Sequence, residues 1–314
     1  MRDNLQNILS SNLRILLKDI NDAKLNEIRI RIGKPIIVSM NQQEFYVNKN
    51  GRLCNDLTDL YLVKENDIKE TIEYITNYSL YAYNDEIRKG YITVSGGHRI
   101  GICGKVIYDN NEIKTIRNIN SINIRISNQV LGCAGAVVKN IFRNGEFENT
   151  LIISPPGLGK TTLLRDMIRI ISNGTKEFEG KTIGVVDERS EIASCYNGKP
   201  QNDVGIRTDV LDCCLKKDGM IMLIRSMKPQ IIAVDEIGSI EDARMIEYCS
   251  LCGCKIIATV HGLTFDEVSY KDGIKKLMDE NTFKNYIFCE YEKGRGWKKS
   301  IYNNKKELED VVYD

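Results

Sequence analysis

The chain has 314 residues, enough for two domains of ordinary size. An apolar share of 42% beside a charged share of 28% excludes a disordered or membrane-embedded chain and fits a globular one. A net charge of +1 argues against a strong, general nucleic-acid footprint, though not against a local basic patch. No apolar run approaches the ~18 residues of a membrane span. The opening Met1-Arg-Asp-Asn-Leu-Gln lacks the apolar core of a secretory signal. The chain is therefore expected in the cytoplasm, reaching any membrane through partners. Its ten cysteines fit reduced thiols in that compartment. Cys249-x-x-Cys252-x-Cys254 lacks a second close pair at zinc-ribbon spacing and leads into an apolar strand. Small buried thiols are expected there and at Cys213-Cys214, not a metal.

Residues 3–18 place Leu5, Ile8, Leu9, Leu13, Leu16 and Leu17 at helical spacing, which predicts one amphipathic helix. The β-branched alternation over 28–40 predicts two short strands around Gly33-Lys34. Residues 65–78 read as a helix with its cap at Asn66-Asp67 and an apolar face of Ile68, Ile72 and Ile75. Residues 91–126 alternate again, broken by Ser95-Gly-Gly-His98 and Asp109-Asn-Asn-Glu112, and predict a meander. His98, in a glycine turn, is expected on the surface. Arg99, Lys105, Arg117 and Arg125 along these strands read as a solvated face, or as a basic surface lying over a nucleotide. A smaller N-terminal α+β domain over 1–145 follows, with the boundary at Asn144-Gly145-Glu146.

From 146 to 314 apolar strands alternate with helices, which predicts a mostly parallel sheet. The expected strands cover 150–153, 182–186, 230–234 and 255–260, apolar throughout and so buried on both faces. Chemistry then belongs at their C-terminal ends. The first ends in Ser154-Pro155-Pro156-Gly157-Leu158-Gly159-Lys160-Thr161, followed by Thr162. This fits the phosphate-binding pattern G-x-x-x-x-G-K-[ST] with Ser154 in place of the leading glycine. The glycines let successive N–H groups face a triphosphate, Lys160 supplies charge at the β- and γ-phosphates, and the Thr161 hydroxyl suits Mg²⁺. The second strand ends in Asp187-Glu188-Arg189, the third in Asp235-Glu236, the fourth in His261-Gly262. Asp235 is suited to Mg²⁺ and Glu236 to orienting or deprotonating a water. Among Arg189, Arg207 and Arg225 at least one is expected to serve the nucleotide. Thr264 is expected to cap a helix running to Met278. Residues 286–302 read as a hairpin around Lys293-Gly-Arg-Gly296, and the charged tail 303–314 as frayed.

With these motifs laid out, the chain resembles the stage III sporulation protein AA family, itself similar to the type II/type IV secretion ATPases. The resemblance spans almost the whole chain. It is carried by Asn77-Tyr-Ser-Leu-Tyr-Ala-Tyr83, Gly90-Tyr-Ile-Thr-Val-Ser-Gly-Gly-His-Arg-Ile-Gly101, Val186-Asp-Glu-Arg-Ser-Glu-Ile192, Arg207-Thr-Asp-Val-Leu-Asp212 and the run Ile224 to Gly238. It implies a C-terminal RecA-like P-loop ATPase domain. Asp187-Glu188 would be the Asp box, Asp235-Glu236 the Walker B pair, and Thr259-Val-His261 the His box that senses the γ-phosphate. It also implies a homo-hexameric ring in the mother cell, docked on membrane-channel partners of a sporulation export apparatus. The expected chemistry is ATP hydrolysis with Mg²⁺ between Thr161 and Asp235. Glu236, helped by Glu188, aligns the water, and an arginine such as Arg207 or Arg225 neutralises developing charge. Two other classes fit the same strand ends: a RecA-like nucleic-acid-dependent ATPase, and a nucleotide-stabilised structural ring. The near-neutral charge and the single tryptophan count against the first, and retention of Glu236 and His261 against the second.

Overall fold

The computed structural model describes residues 3–21, 24–41, 43–143 and 145–313. The chain divides into two compact units, 1–128 and 129–314. The division falls before the expected boundary, because 135–141 form a helix whose Val137, Val138 and Ile141 belong to the second core. Of the expected boundary residues, Asn144 lies outside those described, as do Met1, Arg2 and Asp314 at the chain ends.

The first unit contains α1 (Asp3–Ile8), α2 (Ser11–Leu16), β1 (Leu25–Arg31), β2 (Ile37–Met40), β3 (Gln43–Val47) and β4 (Leu53–Cys54). These are followed by α3 (Glu65–Ile75), α4 (Asn84–Arg88), β5 (Tyr91–Val94), β6 (His98–Asp109) and β7 (Glu112–Arg125). Its sheet runs β4-β3-β2-β1-β7-β6-β5, with every pairing antiparallel. The single helix expected over 3–18 is two. Ser10 interrupts it: its hydroxyl accepts from the Leu13 N–H at 3.3 Å as an N-cap, while its own N–H donates to Thr71 Oγ1 at 3.0 Å. Leu5, Leu9, Leu13 and Leu17 still share one buried face with Ile28, Ile30, Ile122 and Ile124. In α3 the N-cap is Lys64 rather than Asn66-Asp67, and Asp67 in the first turn reaches back to it, accepting from the Lys64 N–H at 2.8 Å and from Tyr61 Oη at 2.6 Å. His98 is fully buried, contrary to expectation, and its Nδ1 accepts from the Ser127 N–H at 3.1 Å. The last part of the expected meander is one long strand, β7, which pairs with β6 through two bulges.

The second unit starts with α5 (Gly135–Ile141), β8 (Phe142–Arg143) and β9 (Glu146–Phe147). Its main body is β10 (Thr150–Ser154), α6 (Lys160–Asn173), β11 (Ile183–Asp187), β12 (Thr208–Asp212), α7 (Lys216–Ser226), β13 (Ile231–Val234), α8 (Ile240–Leu251) and β14 (Lys255–His261). It ends with α9 (Phe265–Ser269), α10 (Asp272–Asp279), β15 (Asn285–Glu292), β16 (Gly296–Asn303) and β17 (Leu308–Tyr313). The eight-stranded sheet runs β12-β11-β13-β14-β10-β15-β16-β17. The first six strands are parallel, and β16 and β17 are added antiparallel. Alternate residues of each strand feed two cores. Ile152, Val185, Ala233 and Ile257 face Leu163, Leu164, Met167 and Ile168 of α6. Leu151, Ile153, Val234 and Val260 face Met220, Leu223, Ala243 and Ile246 of α7 and α8. This is a mixed α/β domain of three layers. Helix α7 lies close on β11 because Gly219 has no side chain: a Cβ there would come within 2.5 Å of Val186.

Three further expectations change. The tail forms β17, an edge strand registered on β16 rather than a frayed end. The helix after Thr264 is two, and Thr264 does cap the first, accepting from the Glu267 N–H at 3.2 Å. Cys249 and Cys254 are buried as expected, and burial pushes the Cys249 thiol up to about 12, but Cys213 and Cys252 are exposed. Among the described residues, no group of three or more His, Cys, Asp or Glu could hold a metal, and no helix is long and apolar enough to cross a membrane.

Candidate functional site

The site is assembled where parallel strands finish. β10 ends at Ser154, extended, fully buried, with its hydroxyl donating to the Pro155 carbonyl at 3.0 Å. Serine thus completes the strand and the turn falls to the glycines that follow. Gly157 and Gly159 take φ of 78° and 79°, conformations that cost a side chain, and a Cβ on either would meet nothing within 4 Å. The loop from Pro155 to Gly159 is therefore an open, left-handed cradle at the N-terminus of the 14-residue α6. The free N–H groups and dipole of such a helix start favour an anion.

Register brings the partners alongside. Ser154 pairs with His261 across β10–β14, and Val234 with Ala258 across β13–β14. Asp235 and Glu236, directly after β13, therefore meet Thr259 and His261. The Thr259 hydroxyl donates to Asp235 Oδ1 and accepts from the Glu236 N–H at 2.9 Å. Thr161 Oγ1 donates to Asp235 Oδ2 at 2.9 Å. Lys160, only 7% exposed, donates to Glu236 Oε1 at 3.0 Å, and its Nζ lies 3.2 Å from His261 Nε2. His261 Nε2 is 2.8 Å from the same carboxylate oxygen, and Arg189 Nη1 is 2.5 Å from the other. Burial works to raise the pKa of Glu236. The Lys160 hydrogen bond and the charges of Lys160, Arg189 and His261 outweigh it and hold the carboxyl below its ordinary value.

The second strand end is structural at one residue and open at the next. Asp187 is buried and accepts the N–H groups of Glu191, Ile192 and Ala193 at 2.8, 3.0 and 2.8 Å. Its pKa is raised by burial, with these three donors opposing. Arg165 of α6 fastens the same turn, donating to the Ile192 and Glu191 carbonyls at 2.6 Å each. Glu188 is ion-paired with Lys216 and lines a small acidic cleft with Asp235 and Glu236.

The structure places Lys160, Thr161, Asp235, Glu236, Glu188 and His261 around one cleft. Arg207 and Arg225 are not among them. Arg207 donates to the Ser172 and Asn173 carbonyls at 3.0 and 3.4 Å, capping the far end of α6. Arg225 is exposed in the last turn of α7, just before β13 begins, at the edge of the sheet opposite Glu236. The arginine that reaches Glu236 in this chain is Arg189. Its position beside Asp187-Glu188 was the only sequence signal distinguishing it from the other two. Thr259 had no signal beyond its place in Thr259-Val-His261. A larger cavity, about 1000 Å³, lies in the first unit between α3 and β7 and contributes no residue to this cleft.

The donor set fits a Mg²⁺–triphosphate. One hydroxyl and one carboxylate, already 2.9 Å apart, are the sparse protein ligation that Mg²⁺ takes when phosphates and waters complete its shell.

A phosphate loop after β10, a carboxylate pair after β13 with β14 between them, and a parallel sheet define a P-loop nucleoside-triphosphatase fold. The same fold is found in solved structures of an ATPase and of a pilus motor. The chain is similar to the ATPase DotB of Legionella pneumophila (TM-score 0.56, 15% identity, 89% of this chain and 77% of that one). It is also similar to the pilus retraction motor PilT with bound ADP (TM-score 0.53, 14% identity, 92% and 79%). The family Sporulation stage III, protein AA, matches residues 1–308. The Stage III sporulation protein AA of Bacillus subtilis (strain 168) is 38% identical over 299 residues, 94% of this chain and 93% of the relative. The chain belongs to the stage III sporulation protein AA family.

Proposed function

We propose that this protein binds ATP–Mg²⁺ on Pro155–Thr162 and hydrolyses it, as the motor of a sporulation export assembly. The observation that carries this is the contact of Lys160 with Glu236 and His261 beside the Thr161–Asp235 pair. A buried lysine held by a carboxylate next to an open N–H cradle is a phosphate-binding group with a stand-in partner. Lys160 would move from Glu236 to phosphate oxygens. Glu236, released, would accept the proton of a water whose oxygen attacks the γ-phosphorus as the bond to the β–γ bridging oxygen breaks. General-base assistance of this kind contributes about 10²–10⁴-fold. Thr161 and Asp235 would hold Mg²⁺, which supplies Lewis-acid neutralisation of phosphate charge. Glu188, one strand further along, supports the water. His261, hydrogen-bonded to Glu236, changes partners when the γ-phosphate leaves.

Two observations on relatives support a motor: PilT is a pilus retraction motor solved with ADP, and DotB is an ATPase. The proposed assembly is a homo-hexameric ring on the mother-cell side of a channel to the forespore, held at the membrane by partner proteins. In such a ring Arg225, exposed and far from its own Glu236, could serve only a neighbouring copy. Steady-state phosphate release from ATP tests the reading. Wild type should turn over ATP, and Lys160→Ala should lose at least about 100-fold. Turnover by Lys160→Ala equal to wild type would overturn the assignment.

A further inference from the structure

The phosphate loop has two sides, and only one is accounted for by the acids. Lys160 and Thr161 face Glu236 and Asp235. Gly157, Leu158, Gly159, Thr162 and Leu163 instead line a separate cavity of about 280 Å³, closed by Val130 and by Trp297 of β16. The cleft on the other side measures only about 10 Å³ and is walled by Glu188, Asp235 and Glu236 together with the Arg189 and Lys216 that pair with Glu236 and Glu188. Of these two spaces, only the cavity beside Gly157–Leu163 has room for a nucleoside attached to phosphates on this loop. The roomy side is close to the lower end of small-molecule sites, roughly 300 Å³.

The walls also suit a base. Trp297 pairs across the β15–β16 hairpin with Tyr291, whose ring meets the indole edge-to-face at 5.3 Å and 70°. The indole is thus braced on one side and 38% exposed. The two lysines of the wall are occupied by the protein: Lys298 pairs with Glu290 at 3.2 Å, and Lys299 donates to the Cys133 carbonyl at 2.9 Å. What remains towards the cavity is an aromatic ring with aliphatic neighbours, the surface on which nucleobases stack.

We infer that this cavity receives the nucleobase of the bound nucleotide, with Trp297 as its stacking partner. The inference rests on the nucleotide reading above and adds the place and chemistry of base recognition.

Trp297 is the only tryptophan in the chain, so its fluorescence reports on the cavity directly. Titration of wild type with ATP–Mg²⁺ should change the tryptophan emission, while tripolyphosphate–Mg²⁺, which lacks a base, should not. By calorimetry, Trp297→Ala should bind ATP–Mg²⁺ at least about fivefold more weakly, as expected for loss of one base stack. Trp297→Phe should recover most of the affinity, which separates stacking from a folding defect. If wild type binds ATP with unchanged emission, or if Trp297→Ala binds as wild type does, the inference fails and the nucleotide reading stands. Equal emission changes with ATP and tripolyphosphate would also overturn it. If wild type binds no ATP at all in calorimetry, the nucleotide reading itself falls, and this inference with it.

Discussion

Glu236 is held with φ at 51°, a left-handed backbone that a glutamate adopts only at a cost of about 1–3 kcal/mol. Two acceptors hold its N–H there, Thr259 Oγ1 at 2.9 Å and Asp235 Oδ1 at 3.0 Å. The backbone turn aims the carboxylate back at Lys160 rather than onward along α8. None of this is legible in the sequence, where Asp235-Glu236 is only an acidic pair after an apolar strand. The lowered pKa has a direct consequence for acid stability. A carboxyl whose folded value is depressed adds stability that is complete above its unfolded value and is lost as pH falls through the folded one. The stability gap between wild type and Glu236→Gln, measured by urea unfolding across pH, should be flat down to about pH 4.5, the ordinary glutamate value, and close only below it. A gap that already narrows near pH 6 would contradict the assigned electrostatics.

The turn after β11 depends on a buried acid with three backbone donors. Asp187 resembles an active-site carboxylate in the sequence, yet both its oxygens are spent on the fold. Its neighbours Glu188 and Arg189 are the residues left facing the cleft. Removing the acceptor leaves buried N–H groups unsatisfied, at about 1–3 kcal/mol each. Asp187→Ala should therefore destabilise the protein by roughly 3 kcal/mol or more in urea unfolding. Asp187→Asn, keeping one acceptor oxygen, should lose less. A loss below about 1 kcal/mol for the alanine variant would show that the turn holds without it. The strands β10, β11, β13 and β14 were legible because they are mostly apolar and buried on both faces. β12 was missed because it is an edge strand, Thr208-Asp-Val-Leu-Asp212, partly exposed and half polar. β17 was missed for the same reason, since its burial is incomplete at every position. The breaks at Ser10 and between α9 and α10 depend on contacts distant in sequence. One is Thr71 on Ser10; the other is the close approach of Gly273 to Ser239, where a Cβ would lie 2.2 Å from the carbonyl oxygen.

The division of the chain was legible as a change of pattern from alternating strands to strand–helix repeats. The boundary itself was not, because only the folded chain shows that Val137, Val138 and Ile141 of α5 pack into the second core. The site was legible as a set of strand ends, since a parallel sheet places all its C-terminal ends on one edge. The choice among arginines was not, because only the folded chain shows that Arg207 caps α6 and Arg189 meets Glu236. A fold shared with DotB and PilT and a family match over residues 1–308 give the fold and the family of the molecule; nucleotide binding and turnover are what the proposed function adds. The most direct measurement is single-turnover phosphate release from prebound ATP–Mg²⁺ by wild type and Glu236→Gln. Wild type should release phosphate, while the variant should keep ATP bound and release it at least about 100-fold more slowly. Release by Glu236→Gln at the wild-type rate would show that Glu236 does not handle the attacking water.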